Sequence, residues 1–347
     1  MSDVKGKSKV PPKSGGSSAG EAQFTSPLLQ FLESFVVEEL LPKNFQLVKV
    51  GADEPVLQAL WTLCEKGFHS VPVWDPKEQE WLGLVDFMDL TKQVVEEFSE
   101  ERLQGLGTTW REELKEMSHS FATKKVGDIV DKSGLNPWCP VLLDTSLLSV
   151  LQLFSKRLDV HRVPVVDSEG DVVGMVTQSS VLALVAENID KLGSIADAKV
   201  NDWAPPLQFR KHHNGHVVTC HNAERVLDAF TRMQREEVSG LAIVDKNTGK
   251  LVGNLSASDV KGIHPATLFQ DLFLPIATYL TNLNRDFVRS DVAEHCNPNS
   301  TLEEVIGRMY AKHISRLYIV NDDDKPIGAL SLCDLISLLM PHDEPLL

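Results

Sequence analysis

Four short polar signatures hold the side chains of this sequence best suited to chemistry: Asp86-Phe87-Met88-Asp89, Thr177-Gln178-Ser179-Ser180, Ser256-Ala257-Ser258-Asp259 and Ser331-Leu332-Cys333-Asp334. Three end in Asp and the second ends in Ser180. Each stands where a β-rich run gives way to a helical pattern, so its carboxylate and hydroxyls fall at a helix start. A side chain there can cap backbone N–H groups or accept charge-assisted hydrogen bonds from a bound molecule. The residue types alone leave both readings open. A second set precedes four other apolar runs: His69, His161-Arg162, Ser239-Gly240 and Ser315-Arg316. Arg162 and Arg316 can make bidentate contacts to an anion, or they can be surface partners of carboxylates in an acidic chain.

The elements that must position these residues repeat along the chain, and the repeat decides the fold. Val71-Pro72-Val73-Trp74, Val163-Pro164-Val165-Val166, Leu241-Ala242-Ile243-Val244 and Leu317-Tyr318-Ile319-Val320 read as strands, each followed by a turn former, Asp75, Asp167, Asp245 or Asn321. A second apolar run then carries a glycine, Gly83, Gly174, Gly253 or Gly328. Glycine inside a strand signals close approach of something to the backbone. Helical spacing precedes each strand pair, as in Val56-Leu57-Ala59-Leu60-Leu63 and Leu302-Val305-Ile306-Met309. Asp53 is the expected N-cap of the first of these helices, with Pro55 in its opening turn, and Ser300 with Glu303 forms a capping-box pattern for the last.

Composition narrows the function. The 347 residues carry 34 Lys and Arg against 49 Asp and Glu, for a formal charge of −15. A body that acidic is a poor general binder of nucleic acid or anionic membrane. Hydrophobic residues make up 42%, which rules out disorder over the whole length. The five cysteines, Cys64, Cys139, Cys220, Cys296 and Cys333, are scattered and odd in number, so a reducing compartment is expected instead of a disulfide framework. The first twenty residues lack the apolar run of a secretory leader, and no segment approaches the about 18 apolar residues of a membrane helix. The expected location is the cytoplasm, with the nucleus as a second compartment.

Other constellations lead nowhere. His212, His213, His216, Cys220 and His221 cluster before the third strand pair, but the run feeds a strand and reads as a loop with incidental histidines. Gly105-Leu106-Gly107 follows no strand. There is no phosphate-binding GxxxxGK[ST], no kinase HRD or DFG and no GxSxG. Acid pairs such as Glu96-Glu97 do not converge on one point of a helix. No catalytic residue and no metal ligand is assigned, and an enzyme is the least favoured reading.

The fourfold pattern resembles the cystathionine-β-synthase (CBS) motif, a βαββα unit that pairs in tandem. Four units in one chain look like the gamma regulatory subunit of the AMP-activated and sucrose-non-fermenting protein kinases, in a divergent, plant- or protist-like form. Leu40-Leu41-Pro42, Thr109-Trp110-Arg111-Glu112 and His161-Arg162-Val163-Pro164-Val165 carry the same likeness. The resemblance implies an α/β (α+β) fold of four CBS units in two tandem pairs forming a pseudo-symmetric disk. Expected boundaries are a flexible tail at 1–26, unit one at 27–95, a helical insertion at 96–137, unit two at 138–190, a linker at 191–216, unit three at 217–265, and unit four with a preceding helix at 266–347.

The resemblance also implies a ligand. It makes Asp89, Asp259 and Asp334 ribose anchors, with Ser180 marking the weakest cleft. Ser256 and Ser331 would donate to phosphate, together with backbone N–H groups at the helix starts. Strand edges at Val85 and Thr219 would flank adenine. His69, His161, Arg162, Ser239, Gly240, Ser315 and Arg316 would surround the phosphates, with His161 able to respond by protonation. Ser315, His69 and Gln178-Ser179 stand where relatives carry His, Arg and a basic residue, so several charge-assisted contacts of roughly 1.5–3 kcal/mol each are missing. The implied function is a non-catalytic subunit that binds AMP, ADP or ATP as regulatory ligands, with no cofactor. Its implied partners are a kinase catalytic alpha-type subunit and a beta-type scaffold. Two alternatives stay open: a CBS scaffold with no nucleotide or only a structural one, and a sensor of adenosyl ligands outside the kinase family.

Overall fold

The computed structural model describes residues 26–202, 217–263, 268–283 and 293–340. The expected N-terminal tail, apart from its last residue, and His212, His213 and His216 lie outside the described residues. The chain opens with α1 (Pro27–Ser34) and α2 (Val37–Leu40). The first unit follows as β1 (Val50–Gly51), α3 (Val56–Lys66), β2 (Ser70–Asp75), β3 (Glu80–Asp86) and α4 (Phe87–Glu97). An insertion adds α5 (Glu100–Gln104), α6 (Trp110–Thr123) and a 3₁₀ turn (Val126–Ile129). The second unit is β4 (Val141–Leu142), α7 (Leu147–Lys156), β5 (Arg162–Val166), β6 (Val172–Thr177) and α8 (Gln178–Glu187).

The third unit runs β7 (Thr219–His221), α9 (Val226–Arg235), β8 (Gly240–Val244) and β9 (Leu251–Ser256), closing on a 3₁₀ turn (Ala257–Gly262) in place of a full helix. Gly262, with Pro265 three positions on in the sequence, is poorly suited to carry a helix further. After α10 (Leu268–Phe273) and α11 (Ile276–Asn282), the fourth unit is β10 (His295–Cys296), α12 (Leu302–Lys312), β11 (Arg316–Val320), β12 (Pro326–Ser331) and α13 (Leu332–Leu339).

Every unit builds the same three-stranded sheet. A short first strand lies parallel to the middle strand, which pairs antiparallel with the third, as in Val50↔Val73 and Val71↔Val85. β1 reaches only Val73 and Trp74, so Pro72 stands where the sheet has no third strand and its missing N–H costs no ladder bond.

The chain leading into each unit docks on the other member of its pair. Val37 N donates to the Thr145 carbonyl and Leu147 N to that of Phe35, so residues 27–41 sit on unit two although they precede unit one. The insertion returns the exchange, with Val56 N donating to Lys124 and Val126 N to Glu54. The second pair repeats the arrangement through Val200 with Ser300 and Val226 with Leu274. This explains two of the four strand glycines: a Cβ on Gly83 would lie 2.7 Å from Val130, and one on Gly174 would strike Leu41, whereas one on Gly328 would meet Ile319 of its own hairpin. In the first pair the close approach therefore comes from the exchanged segments of the chain itself.

The exchange also moves two expected caps. Ser300 gives its carbonyl to Val200, and Thr301 with Glu304 forms the capping box of α12 one residue later. Pro55 takes the N-cap position of α3, while Asp53 pairs with Lys77 and Lys125, each at 2.6 Å.

Two large cores join the pairs into a pseudo-symmetric disk. One unites units one and three through α4 against α9 and the 3₁₀ turn that follows β9; the other unites units two and four through α13 against α7 and α8. Among the described residues no helix is long and apolar enough to cross a membrane. Leu335 is wholly buried in the second core. Leu335→Ala should therefore cost about 2–5 kcal/mol and lower the denaturation midpoint of the whole disk. A loss confined to unit four, read by hydrogen exchange, would contradict the shared core.

Candidate functional site

Hairpin register brings the two polar sets together. In each sheet the first residue of the middle strand lies opposite the last of the third: Ser70↔Asp86, Arg162↔Thr177, Gly240↔Ser256 and Arg316↔Ser331. The last residue is also the N-cap of the helix or 3₁₀ turn that follows. All four such ends meet around one cavity of about 740 Å³, a volume suited to a small organic ligand.

Eight of the expected ligand residues line it: His69, His161, Arg162, Ser239, Ser256, Ser315, Arg316 and Ser331. Arg162 is nearly buried, with its Nη2 3.9 Å from Asp86 Oδ2. Its Nε has no acceptor among the described residues. Burial, and then the Arg162 charge, hold His161 and His69 below the usual imidazole range, so both rings are neutral near pH 7. Arg316 Nη2 donates to Ser239 Oγ at 2.8 Å. A Cβ at Gly240 would collide with the same guanidinium, so glycine there makes room for it.

The other expected residues stand back from the cavity. Val85 is buried inside β3. The Thr219 carbonyl already accepts from Arg232. Gly240 lies beneath Arg316 without lining the space.

Asp89, Asp259 and Asp334 occupy the third helical position of capping boxes, with Asp86, Ser256 and Ser331 as the N-caps. Asp259 Oδ2 accepts from Ser256 N at 2.7 Å, and Asp334 Oδ2 from Ser331 N at 2.7 Å. None of the three carboxylates lines the cavity. Asp89 is wholly enclosed. Its Oδ2 accepts from Asp86 N at 2.9 Å, its Oδ1 accepts from Ser133 N at 2.7 Å, and the side chain is fully buried behind the end of the insertion.

Among the lining residues that sequence reasoning did not assign, Asp86, Lys261 and His313 carry titratable side chains that bear on the site. Lys261 was legible as a cation two positions past Asp259 in a signature already singled out. His313 holds the left-handed turn that ends α12, with φ 51°, and nothing in its sequence context announces that it faces the centre.

Comparison with known proteins agrees with this architecture. The CBS domain model matches residues 139–187, 212–263 and 285–341. The sheet of residues 50–86 has the same strand order and supplies the fourth unit. The chain is 23% identical over 317 residues to the 5'-AMP-activated protein kinase subunit gamma of Saccharomyces cerevisiae, covering 90% of this chain and 92% of that protein. It is 25% identical over 350 residues to the SNF1-related protein kinase regulatory subunit gamma-1 of Arabidopsis thaliana, covering 86% and 80%. Among solved structures, a Methanocaldococcus jannaschii protein described as a candidate archaeal homolog of g-AMPK superposes with a TM-score of 0.64 at 15% identity, covering 87% and 99%, a likeness of fold.

The buried Asp89 makes a testable demand. Burial first, and the Asp86 charge second, push its carboxyl from 3.8 up to about 8, against the pull of the Ser133 and Asp86 N–H groups. A carboxyl raised in the fold contributes stability below its unfolded value and loses it as pH rises through the folded one. Wild type should therefore lose unfolding free energy relative to Asp89→Asn between pH 3.8 and about 8. Urea melts at pH 5 and pH 8 read this directly, and a difference that does not change with pH would contradict it.

Proposed function

Starting from a CBS-repeat protein that resembles the gamma subunits of AMP-activated and SNF1-related kinases, we propose that this chain is the non-catalytic regulatory subunit of a heterotrimeric serine/threonine kinase. AMP, ADP or ATP binds in the central cavity as a regulatory ligand. The bound state changes how the disk holds a catalytic alpha-type subunit and a beta-type scaffold, in the cytoplasm and nucleus. A ligand can shift that assembly only by its differential affinity for the two states.

One observation carries this reading: Arg162, Arg316 and Lys261, from three units of an acidic chain, face one cavity beside the hydroxyls of Ser239, Ser256, Ser315 and Ser331. Cations gathered against the overall charge suit a phosphate, and the hydroxyls add neutral donors. Phe68, Phe87 and Ile314 give the same cavity apolar wall for a base.

The second reading, a scaffold that binds no nucleotide or a structural one, is favoured by a different feature. Asp89 is sealed by Ser133, and Arg162 already faces Asp86.

Calorimetry separates the two. AMP, ADP or ATP should bind the full chain, and Arg316→Gln should weaken that binding by about tenfold or more, the value of one charge-assisted contact. Absence of heat with all three nucleotides would favour the scaffold. Native pull-downs that recovered neither kinase-type nor scaffold-type partner would sink the assembly role itself.

A further inference from the structure

The four N-caps that ring the cavity are chemically unequal. Units two, three and four use hydroxyls, Thr177, Ser256 and Ser331, and unit one uses the carboxylate of Asp86. Capping does not require the charge. Asp86 Oδ1 alone accepts from Met88 N at 2.7 Å and Asp89 N at 3.1 Å, the work that the Thr177 hydroxyl does for Ser180 N at 3.0 Å. The spare oxygen, Oδ2, stands 3.9 Å from Arg162 Nη2 inside the cavity. Arg162 is largely buried there, with its side chain 12% exposed. Its Nε has no acceptor among the described residues, and its neighbours His69 and His161 are neutral. The remaining acid in the lining, Glu294, is taken up at 3.1 Å by Lys312.

We propose that Asp86 is a specificity-determining residue of the cavity: a built-in carboxylate that holds on Arg162 the place of one ligand anion. The inference rests on the reading of the cavity as a phosphate-ligand site. An incoming phosphate meets the negative charge of Asp86 as well as the positive charge of Arg162, and each further phosphate adds repulsion. Wild type therefore discriminates against polyanionic ligands. Nucleoside binds without penalty, monophosphate with a small one and triphosphate with the largest.

Asp86→Asn and Asp86→Ser test this, because both residues are good N-caps and Ser already serves in two of the other units. Thermal melts first identify which of the two variants is folded. Full-length wild type and variant are then titrated by calorimetry with adenosine, AMP, ATP and inorganic tripolyphosphate at fixed salt. Removing the charge should leave adenosine unchanged, tighten AMP by about threefold and tighten ATP and tripolyphosphate by about tenfold, the scale of one charge at short range in a partly screened site.

Tighter tripolyphosphate without any adenine-nucleotide binding would support the role of Asp86 while rejecting the nucleotide reading. Nucleotide binding with an unchanged ATP-to-AMP ratio would overturn the role of Asp86 and leave that reading standing. Weaker binding of every phosphate ligand in the variants would overturn it too, making Asp86 a positioning residue for Arg162. Absence of binding by all four ligands in both proteins would reject the site and the proposal together.

Discussion

The constraint on which the rest depends is that no unit can bury its helices alone. A three-stranded sheet with two helices offers too little core, so α4 finds its partners on unit three, and α7 and α8 find α13 of unit four. Burying whole side chains such as Phe154, Phe230 and Leu335 contributes about 1.5–3 kcal/mol each. With the helices turned outward to one another across the pairs, the polar ends of all four hairpins face the centre. The cavity is the remainder left by that packing, and the charges in it are held by elements whose positions the cores fix.

Exchange of the lead-in segments acts at the next level. Each unit offers backbone groups at the start of its first helix, and the segment that meets them always comes from the other side of the pair, as Val37 meets Thr145 and Val56 meets Lys124. The consequence reaches the site. Once residues 124–127 are pinned to unit one, the chain beyond them passes Val130 against Gly83 and delivers Ser133 N to Asp89. The cleft of unit one is closed by a part of the chain that serves first as a connector.

Much of this was legible in the sequence. Apolar runs flanked by Asp or Asn turns and glycine-bearing second strands marked all four hairpins, because alternation and turn chemistry are local. The His-Arg and Ser-Arg positions marked the cavity, because a fixed register places a strand's first residue beside its partner's last. What was not legible depends on contacts between distant segments. Asp53 lost its capping role to two lysines, Lys77 and Lys125. The cap expected at Ser300 moved to Thr301 when the Ser300 carbonyl was taken by Val200. Asp89 matched Asp259 and Asp334 in its signature, yet only Ser133, 44 residues away, decides that both its oxygens are engaged. Asp86 sat in plain view at the head of the first signature, and its difference from Thr177, Ser256 and Ser331 gained meaning only when Arg162 appeared beside it.

A co-crystal structure of the full chain with AMP tests the central claim most directly. The phosphate should lie in the cavity at the junction of the four units, within hydrogen-bonding distance of Arg162 or Arg316 and in contact with the Ser256 or Ser331 hydroxyl. A nucleotide held only on the outer surface, with the cavity side chains unmoved and its phosphate far from both arginines, would contradict it.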